Sequence, residues 1–246
     1  MAGDSPFAGS VRGARLRFAV LRSRLFWIKA AVWLLCLAPA ALLAWQAFTA
    51  NLGPDPVARL EHGTGLRALQ LLLLTLAMTP LRELSGRPEP IQLRRTLGLF
   101  AYFYMCAHFA MYLVFDIQFA LPKLGEDLAK RTWITLGFSC WLFLLPLAVT
   151  STNGWQRRLR RAWKSLHRLI YPAALLACMH FVWLVKKDET EPLSYLAILL
   201  VLLAARLPWV RLRAWRAAPR EARPRMPGPA HRGEAKSRHG EQEPLG

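Results

Sequence analysis

The sequence predicts an all-α integral membrane protein, a bundle of six transmembrane helices, and three observations carry that reading. The 246 residues are 54% hydrophobic yet hold a formal net charge of +18. A membrane protein accommodates both by gathering apolar residues into spans and charges into loops. Six apolar segments of about 16 to 21 residues recur along the chain, near the ~20 needed to cross the hydrocarbon core. Lysine and arginine flank those segments, and they favour alternate sides.

A basic segment, residues 1–27, opens the chain with Arg12, Arg15, Arg17, Arg22 and Arg24. The first span follows from Ile28 to Phe48. Its apolar run is longer than the ~7–15 residues of a signal-peptide core, so it reads as a retained helix. The second span runs from Leu66 to Leu81, the third from Leu97 to Phe115 and the fourth from Trp133 to Val149. The fifth covers Leu169 to Val185 and the sixth Leu193 to Val210. The second and fifth are short and call for a flanking turn to complete them. The membrane domain therefore covers 28–210. The remainder, 211–246, is rich in Pro, Gly, Arg and Glu without apolar periodicity. It reads as a disordered tail whose basic first part suits anionic lipid. No internal repeat and no phosphate-binding glycine loop is evident.

Six spans place both termini on one side. That side collects the basic N-terminus, Arg82, Arg87, Arg94 and Arg95, then Arg157, Arg158, Arg160, Arg161, Lys164 and Arg168, then the tail. On the opposite side Arg59, Lys123, Lys130, Arg131, Lys186 and Lys187 are mixed with Asp55, Glu61, Glu126, Asp127, Asp188, Glu189 and Glu191. The asymmetry predicts cytoplasmic N- and C-termini in a multi-pass inner-membrane protein. It also argues against nucleic-acid binding, because the basic residues border the spans instead of forming one patch. At this length the chain holds one membrane domain with short tails and no added soluble catalytic domain.

Cys36, Cys106, Cys140 and Cys178 all fall inside predicted spans and none forms a CxxC, so they read as packing residues. Any haem here is bound without a covalent C-x-x-C-H attachment. Three of the six histidines, His62, His231 and His239, fall in an outer loop or the tail and read as solvated. His108 and His180 lie within spans three and five, and His167 at the start of span five.

An ionisable side chain at membrane depth is costly and faces the bundle interior with a partner. Spans three and five run in the same direction. His108 lies eight residues before Asp116, and His180 eight before Asp188. At ~1.5 Å per residue both imidazoles sit about 12 Å below the outer ends of their helices. Adjacent helices then place them across a gap that a porphyrin plane fills, and two histidine ligands suit electron transfer because no coordination position is left for substrate. His167 is thirteen residues before His180, about 20 Å along a helix and about 140° away around it. Pro172, between them, can shift that phase. His167 is thus a candidate for a second haem near the cytoplasmic face, but the matching depth on span three holds Arg94 and Arg95, which do not ligate haem. That leaves one or two b-type haems.

Arg94 and Arg95 read either as positive-inside anchors or as a site for an anionic group such as a haem propionate or flavin phosphate. Phe100, Tyr102, Phe103, Tyr104, Phe109 and Tyr112 read as packing. Trp155, Trp163, Trp183 and Trp209 read as interfacial belts. The rival readings are a transporter with proton-shuttling histidines, which requires paired broken helices, and a haem-free membrane anchor.

With these residues in place, the sequence resembles the MsrQ (YedZ) family of haem-binding membrane subunits, which are similar to the membrane domain of ferric reductases. The likeness covers roughly residues 28 to 212 and rests on the order and spacing of several short runs. These are T-P-L-R from Thr79, R-R-T-L-G-L from Arg94, A-H-F-A-M-Y around His108 and K-R-T-W-I-T from Lys130. They continue with P-L-A-V-T-S from Pro146, W-K-S-L-H-R-L-I-Y from Trp163 and H-F-V-W-L-V-K from His180. The resemblance implies that His108, His167 and His180 match the family's haem histidines. It also implies FMN, a quinol-derived electron supply and a periplasmic molybdopterin-containing methionine sulfoxide reductase as acceptor. In that setting the chain is an electron-transfer subunit and its partner the catalytic one. Span three lacks the first of the two histidines found in ferric reductases. With no nucleotide-binding flavoprotein domain in this reading, direct NADPH oxidation is not expected.

Overall fold

The computed structural model describes residues 7–185 and 190–206, with side chains from Arg24 onward. Lys186, Lys187, Asp188, Glu189, Trp209 and the expected tail 211–246 lie outside the described residues. Among the described residues eight α-helices follow in order: α1 (Phe7–Phe48), α2 (Pro56–Ser85), α3 (Glu89–Met111), α4 (Leu121–Lys130), α5 (Thr132–Val149), α6 (Asn153–Leu166), α7 (Ile170–Leu184) and α8 (Thr190–Ala204). A π-turn, Tyr112–Asp116, extends α3, and a 3-10 turn, His167–Leu169, joins α6 to α7. The described residues contain no strand.

Among the described residues, five segments are long and apolar enough to cross a membrane: Arg24–Phe48, Pro56–Ser85, Glu89–Asp116, Thr132–Val149 and Asn153–Leu184. The chain is a multi-pass helical membrane protein. The segment expected as the sixth span is α8, whose 15 described residues fall short of the ~20 of a full crossing. Its expected end at Val210 lies outside the described residues.

Local chemistry moves several boundaries. The Asp55 carboxylate accepts the Ala58 N–H at 3.0 Å, and Pro56 stands in the first turn, so α2 starts ten residues before Leu66. Gly86, at φ 66°, ends it in the left-handed conformation that glycine adopts without a steric penalty. Glu61 and His62, expected in an outer loop, are therefore helical. Beyond Thr152, which caps it, α6 is basic and bends at Arg160 (φ 46°, ψ −112°). The fifth span thus begins well before Leu169.

The core lies where α2 and α3 meet α5 and α7. Ala68, Leu72, Leu76, Ala101, Tyr104, Cys140, Ala173, Ala174 and Cys178 are buried there. Small residues let α5 and α7 approach closely, and the Cys140 thiol donates to the Ala173 carbonyl at 3.2 Å. All four cysteines are free, as packing residues are expected to be. Large apolar side chains such as Trp33, Leu34 and Trp45 on α1 point outward, as they do where the surrounding solvent is lipid.

A polar bond fastens α1 to this core. Pro39 interrupts α1, and one turn of the helix places the Cys36 carbonyl opposite the Ala40 N–H. The buried Tyr104 hydroxyl, from α3, donates to the Cys36 carbonyl at 2.6 Å and accepts from the Ala40 N–H at 3.0 Å. A side chain from one helix thereby enters the backbone ladder of another at its proline.

Candidate functional site

A cavity of about 380 Å³ opens between α2, α3, α4, α5 and α7. His108, from α3, and His180, from α7, both line it. Their ring centres are 6.1 Å apart and their planes cross at 73°. The sequence could match their depth but not their facing, and the structure supplies the facing.

Each imidazole is anchored through Nδ1 to a backbone carbonyl on a neighbouring helix. His108 Nδ1 lies 2.9 Å from the Glu61 carbonyl on α2, and His180 Nδ1 lies 2.6 Å from the Trp133 carbonyl on α5. A carbonyl only accepts, so Nδ1 carries the proton in both rings and Nε2 keeps its lone pair. This is the arrangement of a metal-ligating histidine, whose second nitrogen fixes tautomer and ring orientation.

The spacing fits a shared metal. With a metal–imidazole nitrogen bond of about 2 Å and the ring centre roughly 1 Å beyond the nitrogen, two imidazoles on opposite sides of one metal have centres about 6 Å apart. The rest of the lining suits a flat, largely apolar ligand. Leu66, Leu69, Met105, Phe109, Phe138 and Phe181 contribute apolar surface. The Trp141 indole N–H is buried without a hydrogen-bond partner and belongs to the same lining, so a ligand carrying an acceptor would satisfy it. Phe109 and Tyr112, expected only to pack, are part of this wall.

At the cavity mouth Tyr112 donates to Asp127 at 2.7 Å, and Arg131 pairs with Asp127 at 3.3 Å. The π-turn that begins at Tyr112 is the kind of helical irregularity common beside functional sites. His62 also borders the cavity, with its exposed ring centre 6.2 Å from that of Phe181.

His167 does not line this cavity. It opens the 3-10 turn, its ring stacks on Trp163 at 3.9 Å, and its Nδ1 lies 3.1 Å from the Trp163 carbonyl of its own helix. Three residues at about 120° each instead of about 100° advance the helix phase by roughly 60°. On ideal geometry the angle between His167 and His180 narrows accordingly.

The structure separates the two adjacent arginines. Arg95 donates to the Asn153 side chain at 2.7 Å and is exposed. Arg94 is half-buried, with Arg206, Tyr171 and His167 in its electrostatic neighbourhood. Arg206 itself donates to the Tyr171 hydroxyl at 2.8 Å and to the Leu76 carbonyl. Sequence reasoning did not single out Arg206, because an arginine at a helix end looks like an interfacial anchor. Nor did it find the Glu61 and Trp133 carbonyls, since a backbone acceptor leaves no mark in a sequence.

The family described as ferric reductase like transmembrane component matches residues 64–178, a stretch that includes His108 and His167. A helical membrane bundle with this match and with paired imidazoles across a cavity defines a protein with a ferric-reductase-like transmembrane domain. The protein-methionine-sulfoxide reductase heme-binding subunit MsrQ of Xanthomonas euvesicatoria pv. vesicatoria is 52% identical over 194 residues, 76% of this chain and 88% of the relative. That of Xanthomonas campestris pv. campestris is 51% identical over 202 residues, 80% of this chain and 92% of the relative. That of Caulobacter vibrioides is 42% identical over 177 residues, 72% and 84% respectively. The chain belongs to the MsrQ family.

Proposed function

We propose that this protein carries electrons through the bacterial inner membrane by way of b-type haem held between His108 and His180. The pair of cavity-lining imidazoles, 6.1 Å apart and each tied through Nδ1 to a neighbouring helix, carries the reading. The heme-binding subunit named in the relatives supports it. When bound, haem would be held by His108 and His180 and would supply a one-electron carrier. The protein's own part is to present two neutral imidazoles, to surround them with apolar side chains and to offer the Trp141 N–H to an acceptor on the ligand.

In this reading α8 belongs to the sixth span, both termini are cytoplasmic and the imidazole pair stands towards the periplasm. The acceptor is then a periplasmic molybdopterin-containing methionine sulfoxide reductase, for which this chain is the electron-transfer subunit. Electrons enter from quinol or reduced flavin. Towards the cytoplasmic face, Arg94 with Arg206 and Tyr171 forms a place for an anionic group, the phosphate of FMN or a propionate of a second haem beside His167. Arg95, turned to Asn153, stands apart from that place.

The test is a reduced-minus-oxidised spectrum of the purified full chain with pyridine haemochrome quantification. The six-coordinate b-type signal is expected to disappear in His108→Ala and in His180→Ala and to survive in His62→Ala. A colourless protein expressed with ample haem, or an intact signal without either imidazole, refutes the reading.

A further inference from the structure

The two imidazole anchors are built alike. The Glu61 carbonyl lies 47 residues before His108, and the Trp133 carbonyl 47 residues before His180. Four residues after each carbonyl stands a glycine, Gly65 on α2 and Gly137 on α5. A β-carbon on Gly65 would lie 3.1 Å from Nδ1 and Cε1 of His108. One on Gly137 would lie 3.0 Å from Nδ1 and 3.1 Å from Cε1 of His180. No internal repeat is evident in the sequence, yet carbonyl, glycine and histidine recur with one spacing on α2–α3 and on α5–α7.

Helix geometry explains the glycine. A helical carbonyl already accepts from the N–H four residues on, and its second lone pair points past the side chain at that position. Any side chain there covers the carbonyl's flank. With hydrogen in its place, a ring from the next helix can lie against the turn and donate to the same oxygen. Both rings do so, each pressed edge-on against a backbone with no β-carbon to spare. The two contacts set the two planes independently, because α2 and α5 hold different rings.

We infer that Gly65 and Gly137 are positioning residues which, with the Glu61 and Trp133 carbonyls, hold the planes of His108 and His180 steeply crossed on a shared iron. This rests on the haem reading above. The chemical consequence lies in the ligand field. Crossed imidazole planes leave the iron orbitals that bond to them nearly equal in energy, whereas parallel planes split them. An added methyl on either glycine pushes its ring off the carbonyl, so that ring turns about its iron bond and the crossing angle changes.

Low-spin electron paramagnetic resonance of the oxidised, haem-loaded full chain reads that angle. The unsubstituted protein is expected to give the single large-g feature of crossed planes for the His108–His180 site, not the three-line rhombic signal of parallel planes. Gly65→Ala and Gly137→Ala are each expected to retain haem and to shift that feature, and the double variant to shift it further or to lose haem. Gly98→Ala, whose β-carbon would meet only Thr75 at 3.5 Å, is expected to leave it unmoved. A rhombic signal in the unsubstituted protein overturns the inference even if the alanine variants fail to accumulate. An unmoved large-g feature in both single variants overturns it as well. Neither result touches the haem assignment, which fails only if the unsubstituted protein lacks haem or keeps its six-coordinate spectrum without His108 or His180.

Discussion

His108 and His180 differ from His167 in where their hydrogen bonds go. Each member of the pair donates to a carbonyl on another helix, so its ring is fixed relative to the bundle. His167 meets the carbonyl four residues back in its own helix and stacks on Trp163 of the same helix, so its ring is fixed only relative to itself. The surroundings differ in the same sense. The pair lines a cavity walled by leucines and aromatics, whereas His167 sits near Arg94, itself near Arg206. Depth in a membrane helix thus leaves open how a histidine is held; His108 and His180 are fixed between helices, and His167 within one.

The largest expected effect breaks the pair. His108→Ala and His180→Ala should each lower haem per chain by more than about tenfold, since even loss of a ligand's hydrogen-bond partner costs ~10–100-fold in metal affinity. Pyridine haemochrome against protein concentration measures it. Next, His167→Ala should leave the six-coordinate spectrum of the paired site in place. A fall to half the haem content would show that His167 holds a second group, and complete loss would contradict the separation of the two regions.

Tyr104→Phe tests the frame and not the site. It removes the hydroxyl shared by the Cys36 carbonyl and the Ala40 N–H, and should lower stability by about 1–2 kcal/mol. Thermal unfolding in detergent checks this, with the haem spectrum unchanged below the transition. Smallest is Arg95→Ala. Its bond to Asn153 is exposed, so the loss should stay under ~1 kcal/mol with haem content unaltered. Arg94→Ala compared in parallel for flavin or propionate-dependent binding sharpens the contrast between the neighbouring arginines.

Five of the six expected spans and the pairing of depths were legible in the sequence because both follow from counting. Apolar runs give the helices, and eight residues before each aspartate give the level of His108 and His180. The start of α2 was misplaced because Asp55 and Pro56 form a cap within a stretch whose charge resembles a loop, and this carried His62 into the wrong element. The 3-10 turn at His167 left no sign beyond Pro172 nearby. Arg94 and Arg95 look equivalent in sequence, but adjacent helical positions point about 100° apart, so one turns inward and the other to Asn153. Glycines 65 and 137 appear in the sequence as ordinary small residues, and their purpose becomes visible only when a ring lies against them.

The bonds from Nδ1 also constrain sliding between helices. If α2 slipped along α3 by one turn, about 5.4 Å, the Glu61 oxygen would leave the reach of His108, and the same slip of α5 along α7 would free His180. Each imidazole therefore acts as a pin that allows its helix pair a single longitudinal setting, so the frame is indexed by the same two side chains that face the cavity.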